Sequence, residues 1–376
     1  MEKPGKRQLS GKAKLVLLFF SLAVTLAMCE AAVRLTGMGT GRQIVGWKRD
    51  DYLALHRKDD RFRGYVLIPN IREFRHKHDL LDYDYVIRTG EMDSIGYRLH
   101  KQEAAASGRL PIVWSFGDSF TFGFGLEEEK TYSALLSRDG YECVNLGVPG
   151  FTLLQEFLLF KYLYERADRK PDIVLFSIFW GNDIPEHGLV SEKIEPTITA
   201  EEDPFAHVGP LGRAALRADK FIGARSALYR FVVDRSRSLS RKPECGFEVP
   251  EGVFIQPHHL KAVDLDTLPY NLVSGFVEEA KLFPFEEFKG TSFYFLLFPS
   301  KEMLLWARSH PDGEEKINEA PELLKDALGG RDVTVIDYFQ PALQARDTVF
   351  YPVDTHFNER GHAMVADILL RKLPED

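Results

Sequence analysis

Residues 111–121 read PIVWSFGDSFT. The run Ile112–Phe116 is apolar on both faces, the pattern of a strand buried in the middle of a parallel sheet. It ends in Gly117-Asp118-Ser119, a small residue, an acid and a hydroxyl at the point where such a strand gives way to a turn. The same rhythm returns four times. YECVNLG at 141–147, DIVLFSIFWGND at 172–183, SFYFLLFPS at 292–300 and DVTVIDYF at 332–339 each read as an apolar strand followed by turn residues. Between them lie helical patterns. TYSALLSRDG puts Tyr132, Leu135 and Leu136 on one face and stops at Gly140. Thr152 and Gln155 form a capping box that opens the helix 153–167. A last helix opens at Asn358, buries Val365, Ile368 and Leu369, and closes before Pro374. The expected fold is therefore α/β: a three-layer sandwich around a mostly parallel five-stranded sheet. Sheets of this kind carry their sites at the carboxyl ends of the strands, which is where Ser119, Gly147 and Asn182 fall.

A serine hydroxyl is a poor nucleophile without a base beside it and an acid to orient that base. Near the C-terminus stands YPVDTHFNERGH. His356 follows Asp354 by two residues, and in an extended loop such residues point to the same side. Asp354 can then hold one imidazole nitrogen while the other faces Ser119. Attack on an ester also needs donors for the developing oxyanion. The candidates are the N–H groups of Ser119 and Gly147 and the side-chain amide of Asn182.

Taken together, Gly-Asp-Ser at 117–119, Asn-Leu-Gly at 145–147, Gly-Asn-Asp at 181–183 and Asp-Thr-His at 354–356 resemble the four blocks of the SGNH, or GDSL-type, hydrolase superfamily, in the family's order. The resemblance runs from about residue 110 to 373. It implies a flavodoxin-like SGNH fold with Ser119 as nucleophile, His356 as base, Asp354 as its partner, and Ser119, Gly147 and Asn182 as the oxyanion hole. MDSIGYR at 92–98 is similar to the lead-in of membrane-anchored bacterial members, with Asp93 where asparagine is usual. The acid precedes the histidine by two residues instead of three. That spacing, and the FPSKEMLLW segment with Pro299, Ser300 and Lys301, resemble the branch containing alginate-type O-acetylation proteins. Each block alone is more often a plain turn; their joint order after successive strands carries the resemblance. Asp118 and Asp183 read as turn-forming acids and His362 as a helix-face residue.

The 376-residue chain, 44% hydrophobic, is long enough for a large core. A net charge of −8 gives no signal for nucleic acid. Lys3, Lys6, Arg7, Lys12 and Lys14 precede an apolar run from Leu15 to Cys29. With Glu30 and Arg34 near its far end, a helix 15–33 approaches the ~20 residues a bilayer core needs. The expected layout is a cytoplasmic basic tail 1–14, a transmembrane signal anchor 15–33, a linker and lead-in subdomain 34–109, and a hydrolase domain 110–373 with a helical insertion at about 184–290. Basic residues ahead of the apolar run place the N-terminus in the cytoplasm and the rest outside it. Met28 makes Ala27-Met28-Cys29 a poor cleavage site, so secretion after cleavage is the alternative.

No cofactor is implied and no metal. His76 and His78 could share one strand face, but no further ligand completes a set, and His258-His259 lacks metal spacing. Cys29, Cys143 and Cys245 are too few for a disulfide framework; a Cys143–Cys245 bridge is the alternative to inert thiols. The insertion carries Arg213, Arg217, Arg225, Arg230, Arg235, Arg237 and Arg241 with apolar residues at helical spacing. A solvated cationic face is the plainer reading, and contact with anionic lipid the sharper one. The expected function is a serine ester hydrolase working through an acyl-enzyme, with acylated carbohydrate or another ester as substrate. The alternatives are an O-acetyltransferase with the same triad, a lipase or thioesterase, and a non-catalytic glycan-binding or assembly protein.

Overall fold

The computed structural model describes residues 11–36, 54–78, 83–100, 110–181, 183, 226, 228, 249, 253, 255, 270–310, 312–329, 331–345, 349–352 and 354–374. Two compact units are present, one of residues 1–44 with 200–244 and one of residues 45–199 with 245–376.

In the larger unit, the strands β1 (His56–Asp59), β2 (Gly64–Leu67), β3 (Phe74–His78), β4 (Tyr83–Ile87), β5 (Thr89–Met92) and β6 (Ile95–Arg98) precede β7 (Ile112–Gly117). Then follow β8 (Glu142–Asn145), β9 (Ile173–Phe179), β10 (Ser292–Phe298) and β11 (Val333–Asp337). The last five pair in the order β8-β7-β9-β10-β11, every pair parallel. Chain order is thus 2-1-3-4-5, the doubly wound arrangement whose switch point lies between the first and third strands. β7 and β9 are buried along their whole length, as their two-sided apolar sequences require.

The sheet does not end at five strands. β6 joins β8 antiparallel through Arg98 and Asn145, and β2, β1 and β5 extend it into a nine-stranded mixed sheet. The lead-in segment therefore continues the sheet, where a subdomain packed beside the main body was expected. Its strands in this sheet are four residues long and carry buried charge and glycine; the sequence reads as short strands broken by turns where β2, β5 and β6 lie, without the pairing that joins them to β8. β3 and β4 form a separate hairpin. The two-residue turn between β5 and β6 puts Asp93 and Ser94 at φ 47° and 67°. Both central positions of such a turn need positive φ, which asparagine and aspartate tolerate better than other side chains. Aspartate at 93 therefore fits the turn where asparagine is usual.

Helices cover both faces of the sheet. On one face, Leu153–Arg166 lays Phe157 and Phe160 against Trp114, Phe116 and Phe176. Thr152 N donates to Gln155 Oε1 at its start, 3.1 Å, the reciprocal contact of the capping box. Phe283, Phe285 and Phe288, at the end of the insertion after helix Tyr270–Leu282, close this aromatic layer. On the other face, Tyr132–Arg138 packs with the C-terminal helix Glu359–Lys372. Thr131 Oγ1 caps the first by accepting from Ala134 N, and Asn358 Oδ1 caps the second by accepting from Gly361 N.

The smaller unit contains the helix Gly11–Thr36. Leu17, Leu18, Phe19, Phe20, Leu26 and Met28 are exposed on it. Glu30 accepts from Ser226 Oγ (2.8 Å) and Leu228 N (2.9 Å). Among the described residues no helix is long and apolar enough to cross a membrane, so the transmembrane helix expected at 15–33 is not supported. The uninterrupted apolar stretch ends at Cys29, short of the ~20 residues a span needs, and Glu30 follows it. The insertion's arginines, His258, His259 and Cys245 lie outside the described residues. Cys143 is buried, and burial pushes its ionisation up to about 12.

Candidate active site

Strand β7 ends at Gly117, whose φ of 157° and lack of a side chain let the chain turn against Thr121; a Cβ there would lie 2.1 Å from Thr121 Oγ1. Asp118 then caps the short helix Ser119–Phe122, its Oδ1 accepting from Phe120 N at 2.8 Å. This is the turn-forming role expected of that acid. The cap presents Ser119 at the first helical position, where a backbone N–H has no partner within the helix.

The base comes from the other end of the chain. Segment 349–358 folds back on itself: Phe350 bridges Phe357, Tyr351 N donates to His356 O (3.0 Å), and Asn358 N donates to Val349 O (2.9 Å). Asp354 sits at the bend. Its Oδ1 lies 2.5 Å from His356 Nδ1 and accepts from His356 N at 2.9 Å. His356 Nε2 lies 2.8 Å from Ser119 Oγ, across 237 residues of sequence. The two contacts fix the ring with its proton on Nδ1 and its acceptor toward serine. Phe120 and Phe124 flank the imidazole, with ring centroids 5.2 and 4.6 Å away. The structure thus brings together Ser119, His356 and Asp354.

Gly147 is nearby for a close-packing reason. A Cβ there would stand 2.4 Å from Phe122 N, so only glycine lets this turn approach the helix that carries Ser119. Its N–H donates to Asn145 Oδ1 (3.1 Å), and Asn145 Nδ2 donates to Thr121 O (2.8 Å). Asn182 lies outside the described residues. Its neighbour Asp183 accepts from Phe179 N at 2.7 Å, a turn-forming role as expected.

Four functional neighbours escaped sequence reasoning. Arg98, fully buried at the end of β6, donates to Phe122 O, Gly123 O and Leu126 O, and so grips the chain just after the nucleophile. Burial pushes its ionisation down, opposed by Tyr85 and by Glu128, Glu127 and Glu129. Tyr132 OH meets Thr121 Oγ1 and Ser177 Oγ, each at 3.0 Å. Tyr351 OH donates to Gly125 O (2.9 Å), linking the loop of the base to that of the nucleophile. Lys301, the first residue of helix Lys301–Ser309, donates to Tyr351 O (3.1 Å), Pro352 O (3.3 Å) and Asp354 O (2.7 Å). Burial lowers its ammonium to about 8, against the pull of Glu302 and Asp354. Its three lysine–carbonyl contacts had no local signal beyond the FPSK resemblance.

His362 lies on a face of the helix Glu359–Lys372, as expected, and that face is buried; Nδ1 accepts from Tyr132 N (3.2 Å) and its ring stacks on Tyr132. Burial lowers its proton affinity to about 3, so it is neutral and structural. His76 is likewise buried, packed edge-on to Tyr85 and Phe124. Among the described residues no group of acids, cysteines and histidines could hold a metal ion.

No protein-family model and no curated protein matches the chain. Solved structures similar to it include a member of the lipolytic protein G-D-S-L family from Veillonella parvula DSM 2008, at 14% identity and TM-score 0.36, covering 69% of this chain and 96% of that one. Another is AlinE4, a SGNH-hydrolase family esterase, at 15% identity and TM-score 0.29, covering 72% of this chain and 100% of that one. A carbohydrate esterase is a third, at 14% identity and TM-score 0.33, covering 77% of each chain. The similar solved chains are thus hydrolases and esterases of the SGNH or GDSL type. Likeness this remote assigns no activity, which has to rest on the site's own geometry.

Proposed function

We propose that the chain is a serine ester hydrolase of SGNH type, acting through an acyl-enzyme on Ser119. The observation that carries this is the unbroken relay from Ser119 Oγ to His356 Nε2 (2.8 Å) and from His356 Nδ1 to Asp354 Oδ1 (2.5 Å) at a strand's carboxyl end. A binding module has no use for a hydroxyl poised on an oriented base. Ser119 Oγ attacks the acyl carbon as its proton passes to Nε2. Asp354 stabilises the imidazolium, and the oxyanion is received by the N–H groups of Ser119 and Gly147 and the Asn182 amide. In this structure the Gly147 N–H is held by Asn145 Oδ1 at 3.1 Å. Collapse expels the alkoxide, which takes the proton from Nε2. Water, deprotonated by the same nitrogen, then releases the acid and restores Ser119. An acceptor hydroxyl in place of water gives O-acyl transfer from the same intermediate.

The substrate class is an O-acylated, chiefly acetylated, glycan or envelope polymer. The two-residue Asp–His spacing and the Pro299-Ser300-Lys301 segment support it through their likeness to the O-acetylation branch. Attachment to a membrane surface through the helix Gly11–Thr36 is supported by its exposed Leu17, Leu18, Phe19 and Phe20, and a location outside the cytoplasm by the basic residues ahead of the apolar run, a pattern shared with export signals. Purified protein is expected to hydrolyse p-nitrophenyl acetate, and Ser119→Ala to abolish this; equal turnover by the variant would end the mechanism. Protease shaving of spheroplasts tests the location: a hydrolase unit that survives until the cells are lysed would overturn it.

A further inference from the structure

Lysine carries three N–H donors on one nitrogen and no acceptor. At Lys301 three contacts converge on a single loop: Tyr351 O, Pro352 O and Asp354 O at 3.1, 3.3 and 2.7 Å. The residue is 5% exposed and reaches the loop from the first turn of the helix Lys301–Ser309, a separate element of the fold. A tight bend that turns several carbonyls inward needs a donor there, because buried acceptors without one are costly. The shortest of the three contacts goes to the backbone of Asp354, the residue whose side chain orients His356. Glu302, buried beside it, and Asp354 favour the charged form of the lysine.

We infer that Lys301 is a positioning residue, an ammonium rivet that holds the Tyr351–Asp354 bend so that Asp354 keeps His356 aimed at Ser119. It does not touch the substrate and moves no proton. The inference rests on the esterase reading and deepens it, since Lys301 acts on the acid of the same site. Arginine does not replace it, since a planar fork cannot gather three donors at one point.

A double-mutant cycle tests the inference with p-nitrophenyl acetate as the probe. Lys301→Met is expected to lower kcat about 10- to 100-fold, the scale of a small misplacement of a reacting group, with KM changed less than about threefold. Combined with Asp354→Asn it should cost nothing beyond Asp354→Asn alone, because the rivet acts through that aspartate. Penalties that multiply, or a folded Lys301→Met enzyme within about twofold of the parent, would overturn the inference. Should Lys301→Met not fold, Lys301→Arg is read in its place, with the same split expected and the same result excluding it. The downfield proton resonance of His356 Nδ1–H is a second readout that needs no turnover. Its loss in the Lys301 variant supports the rivet, and its persistence at the parent position overturns it. Wild-type protein with no Ser119-dependent hydrolysis would refute the esterase reading alone, and the resonance would still decide the case of Lys301.

Discussion

Asp354 acts on His356 twice, through the ring at Nδ1 and through the backbone N–H, so one carboxylate sets both the tautomer and the local bend. Replacing it with asparagine keeps the shape but lets an amide donor face Nδ1, favouring the wrong tautomer. Asp354→Asn should therefore cut kcat by about 10³–10⁴, with KM nearly unchanged, in steady-state assays with p-nitrophenyl acetate. At this scale the sequence was informative where chemistry is carried by residue type and short spacing. Ser119 after a strand and Asp354 two residues before His356 are such cases. It was uninformative where a residue acts through distant backbone. Arg98 and Lys301 look like ordinary charged residues in sequence, and only burial against carbonyls from other elements reveals their work. The burial of His362 was illegible for the same reason: a helix position does not say what covers it until its neighbour, the Tyr132 helix, is in place.

Among elements, the apolar parallel strands were readable because burial on both faces demands continuous apolar sequence. The caps at Thr152 and Asn358 were readable because capping is local chemistry. Short strands broken by turns were legible where β2, β5 and β6 lie, but β1 and the pairing of all four were not, since at four residues they are specified by pairing partners more than by pattern. Their contribution to the site is concrete. β6 delivers Arg98 to the carbonyls of residues 122, 123 and 126, behind the nucleophile. Arg98→Met leaves those acceptors without donors and should destabilise the larger unit by about 3 kcal/mol or more, measured by urea unfolding. Arg98→Lys should not restore it, because Nη1 serves Phe122 O and Gly123 O while Nη2 serves Leu126 O, and a lysine has no second nitrogen for the last of these.

The stability of the whole molecule has opposed pH dependences from buried groups on opposite faces of the sheet. Burial lowers His362 to about 3 and His100 to about 4. Below about 6.5 the unfolded chain binds protons that the folded chain refuses, so stability should fall with acid at up to about 1.4 kcal/mol per pH unit per histidine. His362→Asn should flatten that slope in thermal melts between pH 6.5 and 4. Glu156 pulls the other way. It is 1% exposed, neither oxygen has a hydrogen-bond partner among the described residues, and burial first, then Asp118 and Glu279, raise its proton affinity well above the usual carboxyl value. Above about 4.5 the unfolded chain releases a proton that the folded one keeps, so stability falls as pH rises. Glu156→Gln should raise the melting temperature more at pH 8 than at pH 5; an equal gain at both would refute the buried neutral acid. In the aromatic layer, Phe160→Ala should cost about 3–5 kcal/mol by urea denaturation, since Phe160 meets Trp114, Phe116, Phe176 and Phe293. The 237-residue gap between the nucleophile and its base has a temporal corollary. During synthesis the serine leaves the ribosome long before its activating partner exists, so a nascent or prematurely terminated polypeptide is chemically silent. Reactivity toward esters therefore arises only after the segment that carries His356 has been made and has folded onto the serine.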